Sequence, residues 1–118
     1  MANAGLFIGW ESPVPGRERQ AMRVFNDSLQ YYTALQQQGK IESFESVLLE
    51  NHGGDLGGFV LLRGDKEQLS RLRVDPEFQH NVVRSTLVAG RFGVVGASLG
   101  DELNRLMGDY QSQIDELT

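Results

Sequence analysis

The chain has 118 residues, a length that predicts one domain over residues 1–118 with a core large enough to fold by itself. Hydrophobic residues make up 40% of the sequence and charged residues 23%, as in ordinary soluble globular proteins. The net charge of −5 disfavours binding to nucleic acid or to an anionic membrane, and the absence of cysteine excludes disulfides and thiolate metal sites.

The first residues read MANAGLFIGWESP, in which a short apolar run follows no basic segment. Such a run is too short for the core of a signal peptide and far too short for a membrane span. The lack of cysteine is in keeping with a reducing compartment. We therefore expect a soluble, cytoplasmic protein.

The first half of the chain predicts a strand, a helix and a hairpin. Residues 6–10 (LFIGW) are typical of a strand, which the prolines of the next loop end. Over residues 17–38, apolar side chains recur at three- and four-residue steps and predict an amphipathic helix. They are Ala21, Phe25, Leu29, Tyr32 and Leu35. Two strands over residues 41–50 and 56–63 then form a hairpin around the glycine-rich sequence NHGGDLGG.

The second half predicts a split helix, a fourth strand and a terminal helix. Asp65 begins a capping-box pattern, and Asp75 followed by proline interrupts that helix and starts a second piece. The apolar side of the second piece is expected at Phe78, Val82 and Leu87. Residues 90–97 (GRFGVVGA) predict the fourth strand, after which Ser98 is expected to cap the last helix. The apolar stripe of that helix consists of Leu103, Leu106, Met107, Tyr110, Ile114 and Leu117.

The resulting order, β-α-β-β-α-β-α, predicts an α+β fold of the ferredoxin-like type, with an antiparallel sheet and an additional C-terminal helix. Its strands are apolar on both faces. Phe7 points away from Leu6 and Ile8, and Phe59 points away from Val60. The helices of one chain cover one face of such a sheet, so the other face needs a partner. The simplest partner is a second copy, which predicts a homodimer formed sheet against sheet.

The element order, the long central hairpin, the DPEF restart of the second helix and the two-faced strands together resemble the dimeric α+β barrel superfamily. Its members include antibiotic-biosynthesis-type monooxygenases, haem-degrading enzymes, chlorite-dismutase-like proteins and small uncharacterised proteins. The resemblance implies a sheet-on-sheet dimer with a pocket in each protomer, between sheet and helices. It does not by itself imply a reaction.

Short motifs point to other chemistries, which the rest of the sequence disfavours. Residues 96–100 (GASLG) match the G-x-S-x-G nucleophile elbow, but the chain is too short for an α/β-hydrolase and both histidines precede Ser98. The glycines of the hairpin lack the lysine of a phosphate-binding loop. His52 lies beside acidic residues, where a solvated turn histidine is the simpler interpretation. We predict neither a metal site nor a cofactor.

His80 is a further candidate because haem-degrading members of the superfamily use a histidine on the second helix. They combine it with an Asn on the first strand and a Trp on the same helix. In this sequence the tryptophan is Trp10, on the first strand, and Asn3 precedes that strand. The triad therefore cannot be carried over. His80 is expected at the exposed surface, and it stays among the candidate ligand contacts.

Trp10, Tyr32 and Arg91 complete the candidate ligand-binding residues. Trp10 ends the first strand, where an amphipathic ring can line the mouth of a cavity. Tyr32 can donate from its hydroxyl, although packing of the helix on the sheet explains it equally well. Arg91 lies early in the predicted fourth strand and could bind a ligand carboxylate or pair with an acidic residue of the chain.

Two functions stay open at this point. The first is a small homodimeric α+β barrel that binds a small organic molecule between sheet and helices; its catalytic form would be a cofactor-independent monooxygenase or isomerase. The alternative is a non-catalytic protein-interaction or assembly module. The sequence does not decide whether the protein is an enzyme.

Overall fold

A computed structural model of the protein describes residues 2–118. In chain order, its elements are β1 (Ala4–Trp10), α1 (Glu18–Gln37), β2 (Ser43–Leu48), β3 (Gly58–Gly64), α2 (Lys66–Arg73), α3 (Pro76–Val88), β4 (Gly93–Ser98) and α4 (Gly100–Leu117). The strands of these described residues form an antiparallel sheet in the order β2-β3-β1-β4. The predicted ferredoxin-like order with a split second helix and a C-terminal helix is confirmed.

The predicted caps of the split helix are confirmed. The Asp65 carboxylate accepts from the Gln68 backbone N–H at 2.8 Å, and the Gln68 side chain accepts from the Asp65 N–H at 2.9 Å. This reciprocal capping box satisfies two N–H groups that the first turn of α2 leaves without helical partners. At the start of α3, Asp75 accepts from the Glu77 N–H at 2.8 Å, and Pro76 occupies the first helical turn.

The hairpin strands are shorter than predicted. The β2–β3 ladder runs from the Ser43–Arg63 pair to the Leu48–Gly58 pair, so the predicted strands over 41–50 and 56–63 were each two residues too long at the loop end, and the first also begins two residues later than predicted. Beyond that pair the Leu49 N–H still donates to the Gly57 carbonyl at 2.9 Å, while the Gly57 N–H donates to the Trp10 carbonyl at 2.8 Å. A Cβ atom at Gly57 would collide with the backbone carbonyl of Glu11, so only glycine permits this approach.

The prediction for the fourth strand and the cap of the last helix was partly wrong. β4 begins at Gly93, and Arg91 lies in the turn before it with φ at 49°. Ser98 is the last residue of β4, where it pairs with Ala4, and the Leu99 N–H continues this pairing to the Asn3 carbonyl at 3.1 Å. Because the strand extends past Ser98, its hydroxyl does not cap α4, whose N-cap position is taken by Leu99.

One face of the sheet forms the core with the helices. Ile8, in the central strand β1, lies opposite Val60 of β3 and Val94 of β4, and all three point to the helix side. Leu62 of β3 is completely buried. The buried apolar residues of this core are Leu6, Ile8, Tyr32, Leu35, Ile41, Val60, Leu62, Leu69, Leu72 and Phe78.

The other face of the sheet carries apolar side chains that no helix of the described chain covers. Phe7 and Phe59 stack on it with ring centroids 5.0 Å apart, and Leu61 lies opposite Phe7 in the β1–β3 register. Val95 of β4 is 57% exposed on the same face. This surface is called the open sheet face below. The alternation of side chains along the strands predicts that Phe7 and Phe59 lie on this face.

Candidate functional site

A cavity of about 310 Å³ lies between the sheet and helices α1 and α3, close to the end of β1. Its walls are mainly apolar and include Ile8 and Val60 from the sheet, Val24, Phe25 and Leu29 from α1, and Phe92 from the turn before β4. Its volume is at the lower end of the range for small-molecule sites. The sheet–helix location is the one that the superfamily resemblance implies for a pocket.

Hydroxyl groups interrupt the apolar wall at one place, where Ser28, Tyr32 and Ser85 line the cavity. Asn81 lies behind them and connects them. Its amide nitrogen donates to the Tyr32 hydroxyl at 3.5 Å, and its side-chain oxygen lies 3.2 Å from the Ser28 hydroxyl. The Ser28 and Ser85 hydroxyls also lie within donating distance of backbone carbonyls one turn earlier, at 2.7 and 2.8 Å. The cavity therefore combines apolar walls with a buried polar cluster.

Helical spacing brings this cluster together. Ser28 stands one turn from Val24 and one turn from Tyr32 on the buried side of α1. On α3 the buried side consists of Phe78, Asn81, Ser85 and Val88. Leu87, which the sequence analysis assigned to this side, is mostly exposed. That prediction was wrong because it considered apolar residues alone, whereas α3 buries two polar residues that bond within the protein.

The sequence analysis also missed Ser28, Asn81 and Ser85 as residues of the site. The sequence does contain a pattern that could have identified them. Polar residues recur at three- and four-residue steps on the same helix faces as Tyr32 and Phe78. On an amphipathic helix such positions are normally apolar. A polar side chain there has to find a hydrogen-bond partner or line a polar part of a cavity.

The Tyr32 hydroxyl is a neutral hydrogen-bond donor at pH 7, as the ordinary tyrosine pKa of about 10 already implies. Burial raises the pKa of this hydroxyl to about 12, against smaller opposing effects of hydrogen bonds with Asn81 and Ser28. The phenol therefore stays neutral to a higher pH than an exposed tyrosine. Since it accepts from the Asn81 amide, its own hydrogen can be donated to a ligand oxygen. Burial, with additional contributions from Glu77 and Asp75, also raises the pKa of the neighbouring Tyr31.

The raised pKa of Tyr32 predicts a loss of stability at high pH. Below pH 10 the phenol is neutral in both the folded and the unfolded chain, so its full contribution is present. Between pH 10 and about 12 the unfolded chain ionises first, which lowers the free energy of unfolding by up to about 3 kcal/mol. Urea unfolding at several pH values should show that Tyr32→Phe flattens this decline. Tyr110→Phe, whose side chain is exposed in the isolated chain, is the matched control, and an equal decline in both variants would contradict the assignment.

Trp10 lies at the wall of the cavity, and its role in ligand binding stays a prediction. Its ring meets the ring of Phe25 edge to face, with centroids 5.8 Å apart. A side chain at Gly58, its partner in β3, would press against the indole, so glycine makes room for the ring. Trp10 and Tyr32 are thus brought to one cavity by β1 and α1.

Arg91 and His80 lie outside the residues that line this cavity. The Arg91 guanidinium pairs with Glu11 at 3.2 Å and with Asp55, and its side chain is 67% exposed. The predicted alternative of a pair with an acidic residue of the chain is confirmed. His80 is exposed on α3, as expected. A role in ligand binding stays a prediction for both residues.

The remaining motifs have structural roles or give no site. The His52 ring closes the hairpin loop, since one ring nitrogen donates to the Leu56 carbonyl at 2.9 Å and the other accepts from the Gly54 N–H at 3.2 Å. Ser98 lies within a strand and not on the sharp turn that a nucleophile elbow requires.

Residues 2–118 contain no group of three or more His, Asp or Glu side chains placed to hold a metal ion. None of the helices described is long and apolar enough to cross a membrane.

Among solved structures, this chain is similar to ferredoxin-like proteins. One, from Bacteroides fragilis, is described as a dimeric protein of unknown function with a ferredoxin-like fold; it is 13% identical with a TM-score of 0.62, over 81% of this chain and 95% of the other. A dimeric ferredoxin-like protein of unknown function from a Jannaschia species is 14% identical with a TM-score of 0.61, over 82% of this chain and 97% of the other.

A third similar structure is SnoaB, described as a cofactor-independent oxygenase from Streptomyces nogalater. It is 14% identical with a TM-score of 0.53, over 84% of this chain and 95% of the other. None of the protein-family models or curated proteins compared with the sequence matches it. At these identities the similarity shows the fold, and the fold is the ferredoxin-like one that the sequence predicts.

Proposed function

We propose that the protein is a small cytoplasmic homodimer that binds a small, mainly apolar organic molecule in the cavity of each copy. The observation that carries the proposal is the cavity between sheet and helices, whose apolar walls surround the hydroxyls of Ser28, Tyr32 and Ser85. An apolar pocket with a few convergent polar groups is the usual form of a small-molecule site.

The chemistry of the walls indicates the kind of ligand. Trp10, Phe25 and Phe92 offer ring faces and edges to a planar, aromatic body. Tyr32 offers a hydroxyl hydrogen to one oxygen of the ligand. No residue that lines the cavity in the described chain carries a charge, so a neutral ligand or one with its charge outside the cavity fits best.

The dimeric part of the proposal rests on the open sheet face. Phe7, Phe59, Leu61 and Val95 form an apolar surface there, and exposed patches of this kind mark association sites. The two similar proteins from Bacteroides fragilis and Jannaschia are both described as dimeric. A second copy related by a two-fold axis would cover both faces at once.

A cofactor-independent monooxygenase or isomerase would be the catalytic form of this proposal, and the description of SnoaB supports that class. The Tyr32 hydroxyl could then stabilise an oxyanion that develops on the substrate. Among the described residues that line the cavity there is no His, Asp or Glu to act as general base. The geometry therefore supports ligand binding more directly than it supports a reaction.

Filling the cavity is expected to abolish binding. A thermal-shift screen of the unchanged protein with aromatic and carboxylic metabolites first identifies a ligand that raises the melting temperature. Ala21→Phe places a ring in the cavity and should remove that shift, because Ala21 lines it. Gln30→Phe, at an exposed position of α1, is the control and should keep the shift. A shift that persists in Ala21→Phe would place the ligand elsewhere. If no compound raises the melting temperature, the proposal fails and the interaction module is favoured.

A further inference from the structure

The C-terminal helix α4 is the least covered part of the molecule. Over its whole described length of 18 residues it buries none of its side chains. Its apolar stripe consists of Leu103, Leu106, Met107, Tyr110, Ile114 and Leu117, and all but Leu106 are 47–84% exposed. The radius of gyration is 16.2 Å, against about 13.5 Å for a compact chain of this length, because α4 stands away from the body.

An amphipathic helix of this length is marginal when it stands alone in water. Its stability normally comes from packing of the apolar face, and in the described chain no residue of the stripe of α4 is buried. The dimeric neighbours match 81–82% of this chain and 95–97% of their own. The part of this chain from β1 to β4 makes up a similar share of its residues.

The mouth of the cavity is a second apolar surface without cover. Met22 of α1 and Leu48 of β2 line the cavity, yet they are 58% and 70% exposed. The chain's own α4 starts at the other end of the sheet. Ser98 pairs with Ala4, whereas the cavity mouth lies near Trp10, which is about 20 Å further along β1.

The charges beside the two surfaces are complementary. Asp109 and Glu116 lie seven residues apart and form an acidic border along the stripe of α4, whereas Glu102, on the same side of the helix, is paired with Arg105 at 2.7 Å. At the cavity mouth, Arg19 and Arg23 are exposed, one turn apart, beside Met22, and Arg23 also lies 3.9 Å from the Asp27 carboxylate. A helix that packs its stripe on Met22 can therefore bring its acidic border to these arginines.

We propose that α4 of one copy packs, with its apolar stripe inward, over the cavity mouth of a second copy. Each cavity is then closed by a helix from the partner, and the ligand site is complete only in the dimer. This inference rests on the proposed homodimer. In addition to the contact between the two sheets, each copy then buries its α4 against the other copy. The exposed rim of the cavity and the exposed stripe of α4 are covered by the same interaction.

Cysteine cross-linking tests this contact without background, because the chain contains no cysteine. In the full chain that carries both Met22→Cys and Met107→Cys, mild oxidation should link two chains, and a non-reducing gel should show a band at the dimer mass. The matched control carries Met22→Cys and Ser112→Cys, with Ser112 on the side of α4 opposite the stripe. We expect at least tenfold more linked dimer in the first variant than in the control.

The outcomes separate this inference from the proposed function. A dimer by light scattering without a link between positions 22 and 107 overturns the inference and leaves the sheet dimer intact. A linked species at the monomer mass means that α4 covers its own cavity, which also overturns it. Linked dimer from Met107→Cys alone would show that the two α4 helices pair with each other instead. A monomer by light scattering contradicts the homodimer itself.

Discussion

Val95→Asp is expected to convert the protein from a dimer into a monomer. Val95 is 57% exposed on the open sheet face of the isolated chain, so the substitution costs the fold of one copy little. In a sheet-on-sheet dimer the new carboxylate would be buried among apolar side chains such as Phe7 and Phe59. Burial of an unpaired charge costs several kcal/mol, which corresponds to an increase of about a thousandfold or more in the dissociation constant of the dimer. Light scattering across a dilution series measures this dissociation constant.

Val83→Asp is the matched control, because Val83 is 58% exposed but lies on the outer side of α3. It introduces the same charge at a site of the same exposure and should leave the dimer unchanged. Phe59→Asp, in the middle of the open sheet face, should act like Val95→Asp. If both variants of the open sheet face still form dimers, the interface lies elsewhere. If both the unchanged protein and Val83→Asp are monomers, the homodimer is wrong.

Leu62→Ala should have the largest effect on the stability of the fold itself. Leu62 is completely buried in β3, between Leu6 of β1 and Phe44 of β2. Truncation removes buried apolar surface and leaves a hole that neighbours on a hydrogen-bonded sheet cannot fill by moving. The free energy of unfolding should fall by about 2–5 kcal/mol, as for other Leu→Ala changes in cores.

Urea unfolding at one fixed chain concentration measures this loss, because a dimer's apparent stability depends on concentration. Leu87→Ala is the control, since Leu87 is more than half exposed on α3 and its removal should cost less than about 1 kcal/mol. Similar losses in the two variants would mean that the core of the isolated chain is not where the burial pattern locates it.

Local chemistry allowed much of the fold to be predicted from the sequence. The capping box at Asp65 and the Asp75–Pro76 restart depend on contacts within a few residues, and both are present as predicted. The two-faced character of the strands follows from side-chain alternation alone, and the register of β1 and β3 confirms it. The same alternation leads to the open sheet face and hence to the proposed dimer. The alternation of side chains along a strand and the caps of a helix each depend on a short segment, so they can be predicted from a single sequence.

The tertiary structure decided the features that depend on segments distant in the chain. Ser98 became part of a strand because the backbone of Asn3 extends the pairing beyond it, which no local pattern could indicate. Arg91, which was predicted in the fourth strand, lies in the turn before it, where it forms ion pairs with Glu11 and Asp55. The cavity and its polar cluster exist because α1 and α3 bring Ser28 and Tyr32 to Asn81, which is 53 and 49 residues away in the sequence.

The exposure of α4 was decided in the same way. Its stripe is as regular as that of a core helix, and the sequence predicts the helix and its apolar face correctly. Whether that face is buried depends on the position that α4 takes after β4. In this structure α4 extends away from the sheet and the other helices, so its apolar face stays exposed. Periodicity determines that a face is apolar, whereas only the three-dimensional arrangement determines what lies against it.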